Sequence, residues 1–134
     1  MSFSKQESLQ RYSPPVLRIG LSLVLLWFGA NQVLSSQSWT SWLPTYASAI
    51  PISAANLVFI NGAFEVTLGL LLLIGIYTRI TALILSLHLL IITLSIGYND
   101  VAIRDFGLFI AALAIALNGA DEWCLDRRFA DKNS

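Results

Sequence analysis

The chain has 134 residues, 56% of them hydrophobic and 12% charged, with a formal net charge of zero and a mean hydropathy of +0.70. That length suits one domain, that balance lies outside the soluble range, and no basic excess points to nucleic acid as a partner. With one cysteine, Cys124, and one histidine, His88, one chain can form neither a disulfide, a CxxC redox pair, a metal site of the usual ligand count nor two-histidine haem ligation.

Residues 1–15 are polar and end in Pro14-Pro15, read as a stop before the first membrane segment. Four apolar runs follow, 16–34, 55–77, 80–96 and 101–117, each near the roughly 20 residues that span a bilayer. The expectation is an all-α integral membrane four-helix bundle between a polar tail at 1–15 and another at 119–134. A signal peptide fits the first run poorly, because the run is long and lacks a small-x-small cleavage site. A soluble all-α domain would need more charge to coat its surface.

The first run offers two faces, one with Gly20, Trp27 and Asn31, the other with Arg18, Ser22, Gly29 and Gln32. Spacing does not choose between them. Arg18, near one end, can snorkel to the membrane surface. The following loop, Trp39-Thr-Ser-Trp42-Leu-Pro44-Thr-Tyr46, carries no charge. It reads either as an aromatic anchor at the membrane boundary or as a lid over an outward-facing cavity.

The second run holds a carboxylate, Glu65, near its middle. Such a group costs on the order of 2–4 kcal/mol on insertion scales, so it must face protein or water. Gly62, Glu65 and Gly69 share one helical face, which reads as a helix-packing face. The third run centres on His88, with Thr81 and Ser95 on the same side. A tight turn at Arg79 makes these two runs antiparallel neighbours and brings Glu65 and His88 to one depth. Either they share a proton, directly or through water, or each bonds separately to backbone or hydroxyl groups.

The fourth run opens with Asp100, Arg104 and Asp105. Asp100 and Arg104 can pair across one turn, and Arg104 either snorkels outward or is the cation of a pocket. Gly107, Ala111, Ala114 and Asn118 continue its stripe as a second close-packing face. By depth alone, Asn31, Asn61, Glu65, His88 and Arg104 are the candidates for a polar cavity that opens outward. Asp121, Glu122, Asp126 and Asp131, interleaved with Arg127, Arg128 and Lys132, read as a solvated tail in which Cys124 is incidental.

Basic residues at both tails and at Arg79, set against the uncharged first loop, place both termini in the cytoplasm. The Gly97–Asp100 turn then lies outside with that loop. The expectation is an integral membrane protein, with a bacterial or archaeal cytoplasmic membrane as the expected location.

Three features in order resemble the DoxX family of small four-helix membrane proteins. They are Leu17-Arg18-Ile19-Gly20 leading into Leu26-Trp27-Phe28-Gly29; Glu65-x3-Gly69 followed by Gly75-Ile-Tyr-Thr-Arg79; and the ending Gly119-Ala-Asp-Glu-Trp-Cys-Leu125-Asp126-Arg127. The resemblance runs from about Pro15 to Arg128. It implies a membrane subunit of a redox complex, since founding members are associated with thiosulfate:quinone oxidoreductase and the membrane subunit would meet the quinone. The family's helix-2 Glu, turn Arg and terminal Leu-Asp-Arg correspond to Glu65, Arg79 and Leu125–Arg127. Other relatives are accessory proteins without assigned activity.

Three functions therefore stand side by side. One is a quinone-linked oxidoreductase subunit, which must draw electrons from a partner because this chain has no redox centre of its own. The second is a structural or assembly subunit. The third is a binder of lipid or another small apolar ligand. The expected partners are the bilayer and other membrane subunits, and the cofactor expected is at most a quinone, with no metal and no covalent group.

Overall fold

The computed structural model describes residues 2–133, which fold into six α-helices and two 3-10 segments. The helices are α1 (Phe3–Gln10), α2 (Ser13–Leu34), α3 (Ala54–Ile74), α4 (Thr78–Ile96), α5 (Asp100–Asn118) and α6 (Leu125–Lys132), and the 3-10 segments are Ser36–Trp42 and Thr45–Ala49. The polar start is thus largely helical. Pro14 and Pro15 do not stop a helix but open α2, because a proline in the first turn lacks only an N–H that has no intrahelical partner there.

Local chemistry sets the other boundaries. Ser53 caps α3 by accepting from the Asn56 N–H at 3.3 Å, and Asn99 caps α5 by accepting from the Ala102 N–H at 2.9 Å; short polar side chains satisfy first-turn donors in this way. Helix α3 ends at Ile74 and not at Tyr77, because Gly75 turns left-handed at φ 84°, a conformation that an apolar run does not reveal and glycine adopts without steric penalty.

The long helices α2–α5 share one core: Leu21 and Leu25, Leu68 and Leu72, Ala82, Leu85 and Leu89, and Ala112, Ile115 and Ala116. Helix α2 packs chiefly on α3, and α4 on α5. The α2–α3 crossing is close at Gly29 and Gly62, where a Cβ built on Gly62 would lie 2.8 Å from the Gly29 carbonyl oxygen. Gly69 lies against Leu25 and Leu26, so both glycines expected to pack do so. On α5 the inward stripe is Ala102, Asp105, Ala112, Ile115 and Ala116. Gly107 meets nothing within 4 Å and Ala111 is only half-buried, so the stripe that starts at Arg104 faces largely outward.

Around this core the surface is apolar. Leu23, Trp27, Phe59, Ile60, Leu87, Ile91, Phe106 and Ile110 are all exposed, a belt that suits lipid rather than water. The segments Phe3–Leu34, Ala54–Ile74 and Thr78–Ile96 are long and apolar enough to cross a membrane.

The start of α2, the α3–α4 turn and the C-terminal segment meet at one end. Here the solvated-tail expectation fails. Arg18, 1% exposed, does not snorkel: its Nε donates to Asp121 Oδ2 at 2.7 Å, and its Nη1 donates to the Leu72 and Leu73 carbonyls at 2.8 and 2.6 Å. One guanidinium thus neutralises a buried carboxylate and completes the C-terminus of α3, where a cation also complements the helix dipole. Asp126 accepts from the Tyr77 and Thr78 N–H groups at 2.8 and 2.7 Å, capping α4 from across the chain. Cys124 is fully buried, where a Cβ at Gly75 would collide with it, and Thr78 donates to its Sγ at 3.4 Å. Trp123, Phe129 and the two arginines at 127 and 128 remain exposed, so the tail is divided between clasp and surface.

Candidate functional site

The opposite end of the molecule holds a cavity of about 240 Å³. Its walls are apolar: Leu57 and Val58 from α3, Ile91, Ile92 and Ile96 from α4, and Val101 from α5. Its roof is the first loop, which contributes Trp39, Trp42, Pro44, Tyr46 and Ile50. Tyr46 donates to Ser95 Oγ on α4 at 2.9 Å, and Ser95 in turn donates to the Ile91 carbonyl at 2.7 Å. The loop's aromatics line the cavity and one bonds across to α4, while Trp42 and Tyr46 also stay exposed at the surface, a placement that accommodates both the lid and the anchor reading.

The floor is polar and comes from three helices. Glu65, 5% exposed, accepts from Asn61 Nδ2 at 3.2 Å and from Gln32 Nε2 at 3.4 Å, while the same Asn61 amide donates to Gln32 Oε1 at 2.7 Å. Asn61 and Glu65 meet because they are one helical turn apart. Gln32 reaches them because the Gly29–Gly62 contact draws α2 close. From α5 come Arg104 and Asp105. The Arg104 Nε and Nη2 both donate to Asp105 Oδ1, at 3.0 and 2.8 Å, and its guanidinium carbon lies 4.2 Å from the centre of the Phe28 ring. That stacking on an aromatic face is a cation–π contact.

Of the residues singled out by depth, Asn61, Glu65 and Arg104 line the cavity. Asn31 does not: it turns back along its own helix and donates to the Trp27 carbonyl at 2.7 Å. The inward face of α2 is the one with Arg18, Ser22, Gly29 and Gln32. His88 stands beside Glu65, its Nε2 3.7 Å from Oε1, which is ion-pair range but too long for a hydrogen bond. That nitrogen is buried without a hydrogen-bond partner among the described residues, and the ring packs on Phe64 at 4.8 Å between centroids. The expected Asp100–Arg104 pairing gives way to Arg104–Asp105.

Gln32 and Asp105 are the floor residues that spacing did not single out. Gln32 was visible as part of one of two equivalent faces. Asp105 adjoins Arg104, and two neighbouring charges point about 100° apart on a helix, so the pattern does not say which one enters the interior. Among the described residues no three of His, Cys, Asp and Glu come together as metal ligands. The arrangement has the make-up common to ligand pockets: apolar walls, a few convergent polar groups and a loop beside the opening.

Compared with known proteins, residues 14–97 match the family model DoxX, which takes in the first two resembling features and stops short of the third. None of the curated proteins and none of the solved structures compared matches the chain.

Proposed function

The chain belongs to the DoxX family and is a membrane protein, and from that premise we propose that it is the small membrane subunit of a redox complex whose roofed cavity binds a quinone-type ring. In this reading α2–α5 all cross the membrane as a four-helix bundle, with both tails and the Arg79 turn cytoplasmic and the cavity at the outer side, in a bacterial or archaeal cytoplasmic membrane. The carrying observation is the cavity itself. About 240 Å³ with isoleucine walls and a roof of two tryptophans suits a single substituted ring better than a drug-sized ligand, whose pockets start near ~300 Å³. The residues fit such a group: Ile91, Ile92 and Val101 would flank the ring, while the free N–H groups of Arg104 and the second amide hydrogen of Gln32 would donate to its oxygens, and Asn61 and Glu65 would hold Gln32 in place. The bound ring would supply the redox chemistry. The protein orients it, keeps water away and holds the polar ends in place, and electrons come from a partner subunit.

Purification from native membranes in mild detergent, followed by mass spectrometry of whatever travels with the chain, tests this reading. The expected result is a stoichiometric redox protein together with quinone. A lone chain carrying only phospholipid rejects the subunit reading and leaves lipid binding. An assembly role draws support from the outward-facing Gly107 and Ala114 on α5, small residues where another membrane helix can approach closely.

A further inference from the structure

Ring binding gives no task to His88. Its Nε2 is buried without a hydrogen-bond partner among the described residues and faces Glu65 Oε1 at 3.7 Å. Two bare acceptors held so close would turn lone pairs on each other, so a proton belongs between them. Closure by about half an ångström makes the contact a hydrogen bond. Charge decides how many protons the pair holds. The groups around Glu65 come from each long helix. Gln32 on α2 and Asn61 on α3 are neutral amides. On α5, Arg104 is bonded to Asp105, so those two charges cancel, and Asp100 is exposed at the helix start. The first loop carries no charge, and its Tyr46 hydroxyl donates to Ser95. Among the described residues, the ion-pair partner of Glu65 is therefore His88 alone. A neutral imidazole pointing its N–H at an ionised Glu65 would leave one negative charge uncancelled between the helices. A buried charge without a counter-charge is costly, and one further proton removes it.

From the facing atoms and this charge balance we infer that Glu65 and His88 form a proton-binding site at the base of the cavity, which holds the one proton that makes the pair neutral. The proton is either on the imidazole, as imidazolium and carboxylate, or on the acid, as imidazole and carboxylic acid. It passes between Nε2 and Oε1, no other bond changes, and the net charge of the pair is zero in both forms. Glu65 lines the cavity and His88 stands behind it. Glu65 is thus the group that exchanges the proton with a ligand or with water entering the cavity, and His88 stores it one step deeper. The pair is present whatever occupies the cavity, so this site stands or falls separately from ring binding.

The composition of the chain makes the test direct. His88 is its single histidine, and its other glutamates, Glu7 and Glu122, are exposed. The full chain, labelled with 15N in histidine and 13C in the glutamate carboxyl groups, is studied by NMR in lipid nanodiscs at about pH 8, where a separate imidazole and a separate carboxyl both lack the extra proton. The expected wild-type spectrum contains either an imidazolium, with both ring nitrogens protonated, or one protonated glutamate carboxyl. In Glu65→Gln that signal is expected to be lost, leaving a neutral imidazole. A wild-type spectrum with a neutral imidazole and every glutamate ionised overturns the inference. So does an imidazolium that persists unchanged in Glu65→Gln, because its proton would then owe nothing to the carboxylate. The wild-type spectrum decides by itself should Glu65→Gln fail to fold.

Discussion

Arg18 and Glu65 are both ionisable, both buried within the helices, and supported differently. Arg18 donates to one carboxylate and two helix-end carbonyls, so Arg18→Met strands Asp121 and reopens the end of α3. Removing one partner of a buried ion pair costs about 3–5 kcal/mol, and the expected readout is a markedly lower melting temperature in detergent, with Arg18→Lys intermediate. Burial alone would raise the Asp121 carboxyl, but the Arg18 hydrogen bond, the Trp123 N–H and the Arg18 charge together hold it below the usual carboxylate value. A depressed value means stability that is fully present above the ordinary Asp pKa of about 3.9 and lost as pH falls through the folded one. Thermal melts should therefore show an acid loss setting in only below about pH 4, and Asp121→Asn should lack that component. Glu65 sits among two amides and a histidine rather than beside a dedicated cation. Glu65→Gln is expected to fold, since its amide oxygen keeps the Asn61 contact and only the long 3.4 Å contact with Gln32 is lost. Glu65→Lys is expected to abolish a monodisperse peak on size exclusion, because its ammonium would face Asn61 Nδ2 and Gln32 Nε2, which are donors.

At the scale of elements, the glycines of α3 and α5 separate tight packing from open surface. Gly62→Leu places a side chain where even a Cβ would sit 2.7 Å from Gln32 Cβ, forcing α2 and α3 apart and pulling Gln32 away from the floor. Overpacking of this kind costs roughly 1–3 kcal/mol or more, and both thermal stability and quinone co-purification should fall. Gly107→Ala meets nothing and removes a helix-interior glycine, so it should be neutral or stabilising by about 0.5–1 kcal/mol. Gly107→Leu should leave the isolated chain folded and, where α5 meets a partner, reduce co-purification. Asp126→Ala removes the long-range cap of α4 and should cost about 0.5–2 kcal/mol, read as a lower melting temperature with unchanged ligand binding, since the cavity lies at the other end.

The whole molecule has two ends with different tasks. One is stapled: α2, the α3–α4 turn and the C-terminal segment are joined by Arg18, Asp121 and Asp126. The other is hollow, its loop laid over an opening. Orientation in the membrane is checked by cysteine labelling in intact cells. Ser38→Cys in the loop is expected to react with an impermeant maleimide, Lys132→Cys only after permeabilisation, and Cys124 itself, being fully buried, not in the native protein.

What the sequence determined by itself follows from local physics: long apolar runs, scarce charge, a carboxylate and a histidine at matching depth, and glycines beside the carboxylate that draw a neighbouring helix close. These features made an all-helical membrane protein legible, along with its family and the Asn61–Glu65–Arg104 part of the cavity. Which way each helix turns was not legible, because lipid and core are equally apolar and hydrophobic periodicity does not mark an inner face in a membrane. Only packing chose the Gln32 face of α2 over the Asn31 face, and buried Asp105 on α5 beside Arg104. Only the tertiary fold, likewise, could pair Arg18 with Asp121 across 103 positions, since no local pattern relates two charges so far apart in the chain.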